Sequence, residues 1–276
     1  MRIFVISLKD AQHRRSRMQR LLDAIGIPFE FFDAIKGSEL TEKDLIKHQI
    51  VSANSLTKPE LGVMLSHILI WQKVVEANIQ KAIILEDDVH FSASFKKVIH
   101  EINIPTDRLG LYRLETVLAS VDISVKPLQQ FGDIKLHQIF SNHSATAGYL
   151  INKNTAKHLL SQVPQMQLAF DNELFDPKRR NIQGVDVFQC VPGVVIQDAA
   201  LMKSIEAFDQ QADFLKSTIG DARVDHQYGY TEPKQNSLLS KFKKILRPIY
   251  LYFYSLALLP KRRKRVLVSF EGNLGT

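Results

Sequence analysis

The feature that most constrains this chain is a short aliphatic run, Lys81 to Leu85 (KAIIL), that stops abruptly in three consecutive acids, Glu86, Asp87 and Asp88. A run this short, rich in Ile and flanked by charge, reads as a central β-strand rather than a helix. The segment before it, Glu60 to Ala77 (ELGVMLSHILIWQKVVEA), has apolar residues on most faces and no internal proline, which predicts a largely buried helix. The three carboxylates therefore belong at the C-terminal edge of a strand, where open α/β sheets gather their ligands.

The opening of the chain points to the same architecture. Arg2 to Leu8 (RIFVISL) is β-rich, Asp10 to Ile25 is basic and amphipathic, Gly26 can stop that helix, and Pro28 returns the chain to extended structure before Phe29 to Ala34 (FEFFDA). Strand, helix, strand is the usual start of a parallel sheet covered by helices. Lys36 to Lys58 is polar and reads as loops with short helix. Gly110 to Leu118 (GLYRLETVL) alternates, with Leu111, Arg113 and Glu115 on one face and Tyr112, Leu114 and Thr116 on the other. Ala145 to Ile151 reads as a strand, Asn154 can cap a helix from Thr155 to Val163, and Val191 to Gln197 reads as a late strand.

Composition narrows the function classes. A chain of 276 residues, 45% hydrophobic, can bury one substantial core with an appendage. Its one cysteine, Cys190, excludes an intramolecular disulfide framework and suits a reducing compartment. The apolar run from Ile3 to Leu8 is broken by Lys9 and Asp10 and lacks a small-residue cleavage site, so a cytoplasmic location is expected. The net charge is +7, but Lys241 to Arg265 holds nine Lys or Arg and no acid, so the remainder sums to 7 − 9 = −2. Basicity belongs to the tail.

Adjacent acids repel, and each must stay solvated, pair with a base or bind a cation. A solvated strand-to-loop turn is one reading of Glu86-Asp87-Asp88. The other is a site for Mg²⁺ or Mn²⁺, hard ions that take oxygen ligands, keep some water and bridge phosphate oxygens. A nucleotide diphosphate is the natural companion of such an ion.

Taken in order, FVISL with Arg14-Arg15, IPFEFFDA (Ile27 to Ala34), LSHILIW (Leu65 to Trp71), ILEDDV (Ile84 to Val89), RLET (Arg113 to Thr116), TAGYLI (Thr146 to Ile151), and Pro192 with Gln197 resemble the lipooligosaccharide galactosyltransferases of glycosyltransferase family 25. The resemblance runs from residue 3 to about residue 205. It implies a Rossmann-like nucleotide-diphosphosugar transferase fold of the GT-A type, α/β with a mostly parallel central sheet. It also implies a UDP-galactose donor, a divalent cation, an inverted anomeric centre and a lipooligosaccharide acceptor.

Within that resemblance, the metal site is expected at Asp88 and Glu86, with Asp88 binding the ion directly and Glu86 and Asp87 contributing through water or to the ribose. The donor is expected to meet Ser7, Asp33, Ala34, Ser66 and His67, one of Arg14 and Arg15 at the diphosphate, and Thr146, Gly148 and Tyr149 around the sugar. On spacing alone Asp33 is equally a strand-end acid and His67 a core histidine above Trp71. Arg113 and Glu115 either bracket the sugar hydroxyls or form a structural cross-pair. The expected base is Asp171, with Asp186 and Asp198 as rivals; Ala169-Phe170-Asp171 stands where relatives carry proline-valine-aspartate.

The catalytic domain is expected over residues 1–235 and a basic, aromatic tail over 236–276. Within the tail, Ile249 to Leu259 (IYLYFYSLALL) is too short to span a bilayer but suits its surface, between clusters that attract anionic headgroups. An RNA-binding tail and a merely solvated one are the alternatives. Residues 241–265 are thus the expected contact with the inner membrane, and deleting 241–276 is expected to spare the catalytic body.

Overall fold

The computed structural model describes residues 1–51, 55–205, 254 and 262–271. The expected βαβ opening is β1 (Arg2–Ser7), α1 (Gln12–Ala24) and β2 (Glu30–Asp33), with β2 parallel to β1. After a 3₁₀ turn (Gly37–Glu39) and α2 (Glu42–Lys47) comes the long helix α3 (Lys58–Glu76), then β3 (Lys81–Glu86), parallel to β1 on its other side. Helix α3 starts at Thr57 because its hydroxyl accepts the Glu60 N–H while the Glu60 carboxylate accepts the Thr57 N–H, a reciprocal cap.

The chain continues through β4 (Val89–Phe91), α4 (Phe95–Glu101), β5 (Gly110–Arg113), β6 (Glu115–Thr116), β7 (Ser120–Ser124), β8 (Gln129–Phe131), β9 (Ile134–Gln138), β10 (Gly148–Asn152) and α5 (Lys153–Ser161). It ends with α6 (Phe170–Phe175), β11 (Asp186–Val191), β12 (Val195–Gln197), α7 (Asp198–Ile205) and β13 (Arg263–Leu267). Among the described residues, eight strands form the central sheet in the order β2-β1-β3-β10-β5-β11-β9-β8. Strands β1, β2, β3, β5, β8 and β11 point one way and β9 and β10 the other, so a parallel majority is interrupted by antiparallel pairings. The α/β architecture is the expected one.

Alternation along each strand feeds two cores. Phe4, Ile84, Leu111 and Ile151 pack with α3 (Met64, Leu65, Ile68, Trp71) and α5 on one face. On the other, Ile3, Val5, Ile83 and Leu85 pack with Met18 and Leu22 of α1 and Phe95, Val98 and Ile99 of α4.

Three local expectations are corrected. The run from Gly110 to Leu118 is two strands. At Leu114 the backbone donates to Gly148 O and accepts from Val194 and Val195, so the chain leaves the central sheet for a three-stranded one, β4-β12-β6. Val191 to Gln197 divides likewise between β11 and β12, because hydropathy does not record which sheet a strand joins. The cap of α5 is Asn152, whose carbonyl accepts from Thr155 N at 2.7 Å; Asn154 instead donates to Thr106 O.

Residues 262–271, read from sequence as part of a dispensable tail, are built into the body. Strand β13 pairs antiparallel with β7, Val268 is fully buried, Gly193 exchanges backbone bonds with Ser269 and Glu271, and Glu271 accepts from Ser94. Arg265 pairs with Asp122 at 3.0 Å, where Tyr254 also donates its hydroxyl. The rest of the expected membrane-contacting stretch, 241–253 and 255–261, lies outside the described residues. Among those described, no helix is long and apolar enough to cross a membrane.

Candidate active site

Strands β1, β2 and β3 end at one edge of the sheet, and antiparallel β10 begins there, because Gly148 lies opposite Leu85 and Glu86 N donates to Ala147 O. The expected acids and the TAGYLI segment thus share a corner. Ser7 donates to Asp87 at 2.6 Å and Arg14 reaches the same carboxylate at 3.2 Å. Glu86 accepts from the Thr146 hydroxyl at 2.7 Å, and the Gln197 amide lies 3.3 Å from Glu86 and from both oxygens of Asp88.

Two cavities meet here. One, of about 320 Å³, is lined by Ser7, Arg14, Ala34, Ser66, His67 and all three acids, with Lys36, Gly37 and Lys58 on its other side. The second, of about 260 Å³, is lined by Thr146, Phe170, Asp171 and Gln197 and shares Val63 and Glu86 with the first.

Burial pushes Glu86 well above the usual carboxylate range, reinforced by the charge of Asp88. Asp88 is pushed up to about 6, again by burial first and then by Asp87. Thr146 and Gln197, the side chains that hold these two carboxylates, are neutral, so the repulsion persists. Among the described residues no three His, Cys, Asp or Glu converge into a ready-made metal cage. A half-buried and a buried carboxylate that repel one another at a cavity wall nevertheless suit an ion such as Mg²⁺, which takes one or two carboxylates and completes its shell with substrate phosphate and water.

The remaining expected residues divide. Arg14 lines the larger cavity, whereas Arg15 ties the ends of β1 and β2 together, donating to Ser7 O, Leu8 O and Asp33. Asp33 is exposed beside Ala34. The Ser66 hydroxyl accepts from Ile35 N and donates to Gly62 O, fixing the loop after β2 onto α3. His67 and Tyr149 are buried and joined at 2.9 Å. Tyr149 lines neither cavity. The space a side chain would fill at Gly148 is taken by Val195 of β12, at 3.0 Å.

Arg113 and Glu115 form the structural cross-pair. They lie 3.1 Å apart with both side chains fully buried. Arg113 also donates to Ser144 O, Ala145 O and Gln189 and sits 4.1 Å over the Phe175 ring, while Glu115 accepts from Ala147 N. The bracket on the sugar is corrected accordingly: the pair supports the loop that carries Thr146. Burial pushes Glu115 up to about 7 against the pull of Arg113.

Asp171 lines the smaller cavity, its carboxylate accepting from Ala145 N and Asn172 N. Of its rivals, Asp186 begins β11 at the far edge of the sheet and pairs with Arg108, and Asp198 is tied to Arg17 and His90. Sequence reasoning missed Gly37 and Gly62, which let the loop after β2 lie against α3; a side chain on Gly37 would meet the Lys58 carbonyl at 1.7 Å. It also left Gln197 and Lys58 without roles. The signal was a Pro192-to-Gln197 landmark for one and nothing for the other.

This chain is a glycosyltransferase. The model of glycosyltransferase family 25 (LPS biosynthesis protein) matches residues 1–174, more than half of the chain, so the protein belongs to that family. Lipooligosaccharide biosynthesis protein lic2B of Haemophilus influenzae is 32% identical over 267 residues, covering 90% of this chain and 94% of that one. Lacto-N-neotetraose biosynthesis glycosyltransferase LgtB of Neisseria gonorrhoeae is 26% identical, covering 89% and 90%. Procollagen galactosyltransferase 1-B of Xenopus laevis is 31% identical over 59% of this chain and 28% of that protein.

Proposed function

We propose that this protein transfers galactose from UDP-galactose to a lipooligosaccharide acceptor, by a metal-assisted single displacement that inverts the anomeric centre. The observation that carries the reading is the pair of cavities joined at Glu86. The larger takes the nucleoside diphosphate, with Ser7, Ala34 and Ser66 around it and Arg14, Lys36 and Lys58 supplying positive charge as the departing diphosphate becomes more negative. The smaller takes the acceptor, whose hydroxyl gives its proton to Asp171 on the side of the sugar away from the diphosphate.

Glu86 and Asp88 would hold Mn²⁺ or Mg²⁺, which when bound supplies charge stabilisation to the leaving phosphoryl oxygens. Thr146 and Gln197 orient those carboxylates. The names of the relatives support the substrates: lipooligosaccharide biosynthesis for the acceptor, galactosyltransferase for the donor. The basic and aromatic residues of 241–261 support peripheral attachment to the cytoplasmic face of the inner membrane, which gathers the acceptor at the enzyme.

The test is a donor screen: UDP-galactose, UDP-glucose and UDP-N-acetylhexosamines with a truncated lipooligosaccharide, with and without Mn²⁺. UDP release together with one added hexose in the product mass, from UDP-galactose with metal, is expected. Absence of turnover with every donor and metal overturns the reading.

A further inference from the structure

The Tyr149 hydroxyl stands between Trp71 and His67. The Trp71 indole N–H can only donate, and it reaches the Tyr149 oxygen at 3.0 Å. The proton of the hydroxyl then has His67 Nδ1, at 2.9 Å, as its acceptor. Burial of His67 drives its pKa down to about 3, so the ring is neutral, and a neutral imidazole that accepts at Nδ1 carries its proton on Nε2. Stacking on Tyr149 and on Phe170, at 5.6 and 4.7 Å between centroids, fixes the ring plane.

His67 Nε2 is buried and has no hydrogen-bond partner among the described residues. Such a donor stays unsatisfied, at a cost in stability, unless a ligand accepts from it. Among the described residues no other buried histidine is left this way: His143 contacts Gln189 through Nδ1 at 2.7 Å and accepts from Val117 N at Nε2. What distinguishes His67 is its place in the wall of the 320 Å³ cavity, which Arg14, Lys36 and Lys58 line together with the acids Glu86, Asp87 and Asp88. The basic side chains suit an anion, and the acids the cation that accompanies it.

We propose that Trp71 and Tyr149 are positioning residues that hold His67 as an uncharged Nε2–H donor for an anionic oxygen of the ligand in the larger cavity; resting on the function proposed above, that oxygen belongs to a nucleoside diphosphate. A neutral donor adds a directed bond beside Arg14 without repelling it. Trp71 and Tyr149 thereby act on the ligand through one intermediary, although neither touches the cavity.

The experiment is ¹⁵N NMR of the labelled full chain, reading the His67 ring nitrogens at pH 7.5 during titration with UDP and Mn²⁺, with calorimetry on the same samples. A bare Nδ1 and a protonated Nε2 in the free protein, with the Nε2–H resonance shifting as UDP saturates, are expected. Tyr149→Phe should mix the tautomers and weaken UDP binding about tenfold. Trp71→Phe should weaken it less, and His67→Gln, whose amide can still donate, should retain more affinity than His67→Phe. A protonated Nδ1, an Nε2–H resonance indifferent to bound UDP, or a Tyr149→Phe protein that binds like wild type overturns the proposal. If wild type binds UDP and His67 does not respond, this inference alone falls. If wild type fails to bind UDP at all, the nucleotide-sugar reading falls with it.

Discussion

Replacing Arg113 by Met separates support of the site from contact with the substrate. The side chain is fully buried, and its guanidinium serves Glu115 at 3.1 Å, Gln189 at 3.2 Å and the carbonyls of Ser144 and Ala145 at 2.8 Å each. Methionine fills most of the volume but donates nothing, so one carboxylate and three other acceptors lose a partner. Breaking a buried pair from one side costs about 3–5 kcal/mol. The lower end applies, because Glu115 is already pushed up to about 7 and takes a proton once Arg113 is gone. A loss of about 3 kcal/mol in a body of this size lowers the melting temperature by about 10 °C. Thermal and urea unfolding at pH 7.5 measure this directly, and Arg113→Met with Glu115→Gln should recover part of the loss by removing the stranded carboxylate. UDP affinity of the folded variant, measured without metal, should fall far less than stability does, because Arg113 reaches the site only through the loop that carries Thr146. Unaltered melting with lost donor binding would refute the argument and return Arg113 to the sugar pocket.

Asp88→Asn should lower turnover by about 100-fold or more while the unfolding midpoint holds or rises, since the change relieves repulsion between buried carboxylates; wild-type turnover would remove Asp88 from the site. Val268→Ala should cost about 2 kcal/mol in urea unfolding, because the side chain is fully buried where β13 joins the core. An unchanged midpoint would mean that 262–271 is not part of the body. His143, held near 3 by burial and then by Arg113, refuses the proton that the unfolded chain accepts near 6.5. Its contribution is therefore intact above about pH 6.5 and declines as pH falls toward 3, with about 2 kcal/mol lost by pH 5. His143→Gln should flatten the pH dependence of stability over that window, and parallel curves for the two proteins would count against a neutral buried imidazole.

Periodicity and punctuation were sufficient for the opening of the fold. The βαβ start, the buried α3 and the strand that ends in Glu86 are local in origin: alternation, a helix-stopping Gly26 and the Thr57–Glu60 cap act within a few residues. The acid cluster was legible for the same reason, as were the neighbouring positions of Arg113 and Glu115 on one strand face.

What those two residues do was decided only by the tertiary structure. A spacing of two puts opposite charges side by side equally well beneath a loop or beside a ligand, and burial by the 144–147 loop and Phe175 selects the first. The split of two apparent strands between sheets, the reversal of β10 that brings Thr146 to Glu86, and the docking of 262–271 onto β7 are likewise contacts between segments far apart in sequence. The sequence by itself determined which segments bury an apolar face and where charge must gather. Which segments meet depends on closing long loops against competing pairings, a free energy that belongs to the assembled chain and is written in no single window of residues.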